Sequence, residues 1–401
     1  MMKKIINAVR YTLLTITFSF LCLLVYSFYS VPDDIYKFSD ENINVYDFLT
    51  VTYEDDVLQS RSSSKAGRYE VKISLFNAIP VKNSSLTVSD RQYLAISGDI
   101  IGLRLFTKGV MIVGVDSVET ANGTFSPGNS AGLVKGDVII SVNGIEIENS
   151  NRLNEIISMS EGQALEILYT RHLQSYVTHL TPVYSASEQK YKGGLWVRDS
   201  AAGIGTMTFY DCESGVFAAL GHGVCDIDTG EILPLSDGDI VSAGITGCTK
   251  GVKGKAGELC GVFQSDSIGR LYFNTEKGIY GVLNNYDKNA ESLPVATGKE
   301  IKKGKAQIVS TVDGNGKQYY DIEILKVSEN DKSKNMVIKV TDKELIEKTG
   351  GIVQGMSGSP IVQNGRLVGA VTHVLVGDPT KGYGIFIENM LTIGEDVKKA
   401  S

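Results

Sequence analysis

The chain has 401 residues, a formal net charge of −7 and four histidines. That length carries two or three domains, each with its own core, and the acidic balance, with no Lys/Arg cluster against it, excludes a nucleic-acid partner. Nothing in the sequence calls for a metal or other cofactor: the five cysteines include no C-x-x-C, so a zinc site is set aside. Cys22 lies in an apolar run. Cys212, Cys225, Cys248 and Cys260 are left either as disulfides, if they face an oxidising compartment, or as free thiols. The 43 glycines crowd into the second half, which suits short strands joined by tight turns.

Lys3, Lys4 and Arg10 precede an uncharged stretch, residues 11–31, about the ~20 residues a helix needs to cross a bilayer. The flanking charges place the N-terminus in the cytoplasm and Asp33 and Asp34 on the far side, so everything after Val31 is extracytoplasmic. Residues 26–30 lack an A-x-A-like cleavage site, which favours an uncleaved anchor over a signal peptide. Residues 32–93 then divide into a polar linker and the first strands. Residues 61–65 (Arg61 to Lys65) are polar, small and without an apolar anchor, and self-processing is expected there. Beyond them Val71, Ile73 and Leu75 alternate, as on a half-buried strand.

From 94 to 183 the pattern changes. Ile101-Gly102-Leu103-Arg104-Leu105, residues 110–115, Ser130-Ala131-Gly132-Leu133 and Lys135-Gly136-Asp137 with the run to Asn143-Gly144 resemble a PDZ domain. A PDZ domain binds a peptide terminus as an added strand. The resemblance implies that Ile101, Gly102, Leu103, Arg104 and Leu105 form the peptide-binding strand, facing a helix over 151–158 capped by Ser150.

Residues 191–401 break into apolar runs separated by glycine-containing turns, the signature of an all-β barrel or sandwich. Near their end, 361–362 and 367–371 flank Asn364-Gly365, which predicts a tight hairpin. In front of it stands Gly355-Met356-Ser357-Gly358-Ser359-Pro360, where backbone N–H groups can converge on one point, as an oxyanion hole requires. A serine hydroxyl also needs a base, usually with a carboxylate behind it. His172 and His179 belong to the last strands of the PDZ-like stretch, which leaves His222 and His373. His222, in Gly221-His222-Gly223 after an apolar strand, is the expected base. His373, on the strand leaving the hairpin, either reads a substrate side chain, as the same strand does in trypsin-like folds, or is a core histidine. Spacing leaves the carboxylate open among Asp342, Asp226, Asp239 and Asp266, and Thr341-Asp342-Lys343-Glu344 also reads as a helix start. Ser359 is the rival nucleophile, but Pro360 after it has no N–H to donate.

The Gly355–Pro360 loop resembles the G-D-S-G-G-P loop of trypsin-like serine peptidases. With the strand at 370–374 and Asp378-Pro379-Thr380-Lys381-Gly382-Tyr383-Gly384 it is similar to the SpoIVB peptidase family of endospore formers. That resemblance implies a mainly β chain with a membrane anchor (1–31), a PDZ domain (94–183) and a trypsin-like double β-barrel (191–401). It implies Ser357 as nucleophile, His222 as base, Asp342 as the carboxylate, and the N–H groups of Gly355 and Ser357 as the oxyanion hole. It further implies a serine endopeptidase in the forespore inner membrane. Such an enzyme would cut a regulatory partner of an intramembrane metalloprotease and so release a late mother-cell sigma factor. The reading from another class is an anchored PDZ adaptor whose barrel only binds.

Overall fold

The computed structural model describes residues 2–31, 34–39, 48–53, 66–172, 174–328, 331, 333–393 and 397. Asp33 and the expected self-processing site at 61–65 lie outside them. The chain forms two compact units, Met1–Gln92 and Tyr93–Ser401.

In the first unit the helix Met2–Ser30 contains an apolar segment, Val9–Ser30, long enough to cross a membrane, and almost none of it is covered by protein. A four-stranded sheet follows, in the order Asp34–Phe38, Ile79–Ser89, Gly67–Leu75, Leu49–Tyr53. Val71, Ile73 and Leu75 are all buried in it, as their alternation predicts.

The second unit is mainly β and contains two closed barrels. Six strands close the first: Ile100–Val115, Leu235–Thr249, Glu258–Thr275, Gly278–Leu283, Val216–Ala219 and Leu195–Tyr210, with the last pairing back onto the first. The second barrel has six more, Gly304–Ser310, Gln318–Val327, Met336–Val340, Lys381–Phe386, Arg366–Val374 and Pro360–Gln363. Period-two side-chain alternation divides the labour within a strand. Phe217 and Ala219 fill the first barrel, whereas Val216 and Ala218 turn outward and pack with Leu367, Ala370 and Ile385 of the second. Each fully buried aliphatic side chain contributes about 1.5–3 kcal/mol, so this shared cluster fixes how the barrels face each other. The four cysteines of this unit are free thiols.

Residues 94–183 do not form a sheet of their own. The strand Ile100–Val115 begins as a barrel strand and ends in the PDZ-like module, where Val110 and Met111 pair with Ile139 and Val138 of the strand Val138–Val142. It changes direction at Gly109, whose φ of +82° and close approach to the Ile139 carbonyl, 2.3 Å from where a Cβ would sit, require glycine. The module adds the strands Leu165–Arg171 and Gln174–Leu180 and the helix Ser150–Ser158 over a core of Ile112, Leu133, Leu153, Ile157 and Ile167. The chain then re-enters the first barrel along Leu195–Tyr210, so the module is an insertion between two neighbouring barrel strands. The helix cap differs by one residue from expectation: Asn149 Oδ1 accepts the Arg152 N–H, while the N–H and hydroxyl of Ser150 both donate to Asp199.

This topology corrects the expected peptide strand. Ile101, Gly102, Leu103, Arg104 and Leu105 pair on one side with residues 201–205 and on the other with residues 238–242. Ile101, Leu103 and Leu105 point into the first barrel's core, and Arg104 forms an ion pair with its cross-strand neighbour Asp239. A strand bonded along both edges has no row of free N–H and C=O groups left for a peptide.

Candidate active site

The Gly355–Pro360 loop sits where the barrels meet. Asn364 and Gly365 adopt φ of 52° and 72°, the left-handed pair that a two-residue hairpin turn needs, and they fix the strands on either side of it. Ahead of that hairpin, Ser357 is half-buried and reaches a cavity of about 530 Å³ that His222 and His373 also line. Ser359 faces the other way. It is fully buried, donates to the Met356 carbonyl at 2.7 Å and meets the Ser310 hydroxyl at 3.0 Å, so it braces the loop.

His222 is presented by a sharp turn. Leu220 and Gly221 both have φ of +68°, and for a leucine that is a strained conformation of the kind that clusters at functional sites. Two braces hold the segment after it. The Asn274 side chain pairs with both the N–H and the C=O of Val224, and Arg198 reaches across to Asp226 and Asp228. The imidazole makes one hydrogen bond, Nδ1 to the Gly223 carbonyl at 2.9 Å. A carbonyl only accepts, so Nδ1 carries the proton and Nε2 is left with its lone pair, the form a general base needs. Burial holds the His222 pKa below the ordinary imidazole value, opposed by the Gly223 bond. The rings of His222 and His373 lie 4.5 Å apart, inclined by 35°. Burial, then the neighbouring His222 and Lys334, lower the His373 pKa to about 4, so both rings are neutral at pH 7.

The orientation of the expected oxyanion donors follows from peptide planarity. In a trans peptide the N–H points away from the C=O. The Gln354 carbonyl accepts the Leu259 N–H and the Met356 carbonyl accepts the Ser359 N–H, so the N–H groups of Gly355 and Ser357 face away from those partners. Both residues line the cavity. Two threonines of the strand Leu195–Tyr210 lock the loop, a feature no spacing rule reveals. Thr206 and Thr208 share one face of the strand and are fully buried. Thr206 Oγ1 donates to the Gly355 carbonyl at 2.7 Å, and Thr208 Oγ1 to the Gly358 carbonyl at 2.8 Å. Gly358 must be glycine: its φ is +98° and a Cβ would fall 1.9 Å from the Thr206 carbonyl.

The structure does not bring Asp342 to this cavity. Its carboxylate caps the helix Lys343–Thr349, accepting the Leu345 N–H at 2.9 Å and the Asp321 N–H at 3.4 Å. Asp226 and Asp239 are ion-paired elsewhere, Asp266 is exposed, and no carboxylate lines the cavity. Asp342→Asn and Asp342→Ser separate capping from catalysis, because each keeps an N-cap oxygen and neither keeps the charge. Both are expected to retain activity, whereas Asp342→Ala loses about 1 kcal/mol of stability. Thermal melts with turnover rates check this, and inactive but stable Asn and Ser variants would make Asp342 the triad's acid.

A second cavity, about 730 Å³, lies between the helix Ser150–Ser158 and residues 193–197. Here the strand Leu195–Tyr210 is bonded along one edge only, to residues 112–115. The Gly193 and Gly194 carbonyls accept the Gly128 and Asp116 N–H groups, which turns the following N–H groups, those of Gly194 and Leu195, the opposite way. A free strand edge beside a helix, opening at a loop with outward N–H groups, is the arrangement expected at 101–105.

Two six-stranded barrels with a serine on one and a histidine on the other at their junction define a trypsin-like serine peptidase. The sequence profile of the SpoIVB peptidase S55 family matches residues 189–391, just over half of the chain, and the chain belongs to that family. Solved structures with partial likeness include the PDZ domain of an SdrC-like protein from Listeria monocytogenes, 18% identical over 22% of this chain and 87% of that one, with a TM-score of 0.19. The HtrA-type protease AlgW with a tripeptide is 13% identical over 50% of this chain and 57% of that one, with a TM-score of 0.31. The active form of the Rv3671c protease from M. tuberculosis is 13% identical over 48% and 72%, with a TM-score of 0.29. This chain thus spans just over half the length of the HtrA-type protein. No curated protein matches it.

Proposed function

We propose that this serine peptidase acts as a membrane-anchored endopeptidase of sporulation on the extracytoplasmic side, with Ser357 as nucleophile and His222 as general base. The observation that carries the catalytic assignment is the meeting of Ser357 and His222 in one cavity between the barrels. The Ser357 hydroxyl donates to the Thr372 carbonyl at 2.5 Å, so attack begins with a change of its χ1 rotamer toward His222 Nε2. The imidazole then takes the proton and returns it to the leaving amine, while the Gly355 and Ser357 N–H groups hold the oxyanion. The test is covalent labelling of Ser357 by a fluorophosphonate probe.

The family resemblance supports a regulatory partner of an intramembrane metalloprotease as the protein substrate, in the forespore inner membrane. Co-expression of the two chains tests this, and a partner left intact beside labelled enzyme rejects it. Self-processing at 61–65 is tested in the same host: a fragment released equally by Ser357→Ala comes from another protease.

The groove at 193–197 is proposed as the peptide-terminus site. Trp196, the chain's single tryptophan, lines it and is 64% exposed. Titration with peptides carrying a free C-terminal carboxylate is expected to shift its fluorescence, and Leu103→Ala, inside the barrel, to leave the affinity unchanged. A fluorescence response indifferent to the free carboxylate would reject the site.

A further inference from the structure

We propose that the cavity beside Ser357 selects an uncharged aliphatic side chain on the acyl side of the scissile bond; this rests on the serine peptidase reading above. Among the residues that line the cavity there is no Asp, Glu, Lys or Arg. Its polar groups are the reacting centre and its rim: Ser357, the two neutral histidines, Gln354, Cys225 and Thr372. The wall behind the nucleophile loop is formed by Ile352, Val353, Val374, Val376 and Ala256. Ile352 and Val353 are 2% exposed and belong to the core of the second barrel, so that wall is preformed rather than assembled on binding.

A cationic substrate side chain entering this space leaves water and finds no carboxylate in the lining, and an anionic one finds no lining cation, the nearest being Lys334 beyond His373; burial of an unpaired charge opposes both. An aliphatic side chain loses nothing and gains contact with the wall. Thr372 Oγ1 is, among the described residues, the buried side-chain polar atom without a partner, and the carbonyl of the same residue holds the Ser357 hydroxyl. Thr372 is 1% exposed, so this hydroxyl is closed off from the cavity's open space and the specificity wall stays apolar.

Full-length chain in detergent micelles, assayed on fluorogenic peptides that differ only at the residue before the scissile bond, tests the assignment. Val, Ile or Leu is expected to exceed Arg, Lys or Asp in kcat/KM by about 10–200-fold, the range that apolar pockets deliver. Val376→Asp places a carboxylate on the wall at a position already 47% exposed, where folding tolerates it. It should raise the Arg and Lys peptides relative to Leu by at least tenfold. Enzyme that takes up the fluorophosphonate label yet cleaves Arg, Lys or Asp peptides as fast as Leu overturns the specificity. Enzyme that takes no label overturns the serine peptidase reading, and the specificity with it.

Discussion

Ser357→Ala is expected to abolish fluorophosphonate labelling and to lower turnover by roughly a millionfold, as removal of the nucleophile does in other serine peptidases. His222→Ala should cost about as much, because nucleophile and base act as a unit. Stability should hold in the serine variant: one hydrogen bond to Thr372 is lost, and such a bond contributes about 0.5–1.5 kcal/mol net. Ser359→Ala is the control, expected to weaken the fold at its Ser310 contact while keeping the label. The pH profile sharpens the assignment. Because burial depresses the His222 pKa, the base stays neutral to lower pH, and the acid limb of kcat/KM should fall below the ordinary imidazole value near 6.5. Stability follows the same sign. Both histidines bind protons more weakly folded than unfolded, so stability is full above about pH 6.5 and is lost as the pH falls toward the His373 value of about 4. Labelling that survives in Ser357→Ala and vanishes in Ser359→Ala would move the nucleophile.

What could be read from the sequence was what is contiguous. The Gly355–Pro360 loop and its Asn364-Gly365 hairpin carry their geometry within a few residues, and Gly221-His222-Gly223 stands at the end of a recognisable strand. Residues 101–105 show the limit. Alternating Ile101, Leu103 and Leu105 announce a buried face, but the same alternation serves a barrel strand and a peptide-binding strand, and periodicity names a face, never its partner. The groove edge at 195–197 is in sequence only one of the apolar runs after 191, since its role depends on pairing with residues 112–115 across the whole inserted module. Asp342 shows the same limit from the other side: Thr341-Asp342-Lys343-Glu344 states a local helix start, a role the carboxylate fills, and its spacing to Ser357 says nothing of whether it also reaches His222.

Thr206→Val is expected to lower kcat by about 100-fold, near the lower end of what loss of one oxyanion donor costs, with KM little changed. Valine keeps the shape and removes the hydroxyl that holds the Gly355 carbonyl at 2.7 Å. Gly355 has a φ of +96° and no side chain to resist rotation, so the released 355–356 peptide, held then by its Met356 N–H on the Val353 carbonyl alone, can rock and loosen the 354–355 peptide that carries the Gly355 N–H. The backbone bonds of Thr206, its N–H to the Ser357 carbonyl and its carbonyl from the Leu220 N–H, survive the change, so the loop stays docked while its donor geometry loosens. Binding of substrate in the ground state therefore persists, and the loss falls on the transition state. Thr206→Ser keeps the hydroxyl and should restore most of the rate, a rescue that a packing role for the methyl group would not give. Thr208→Val acts on Gly358, beyond the nucleophile, and should cost less. A peptide boronate, which places an oxygen in the oxyanion site, reads the same geometry without turnover. Its affinity should drop in Thr206→Val in step with kcat, and unchanged boronate affinity would show that the hydroxyl serves the fold and not the oxyanion hole.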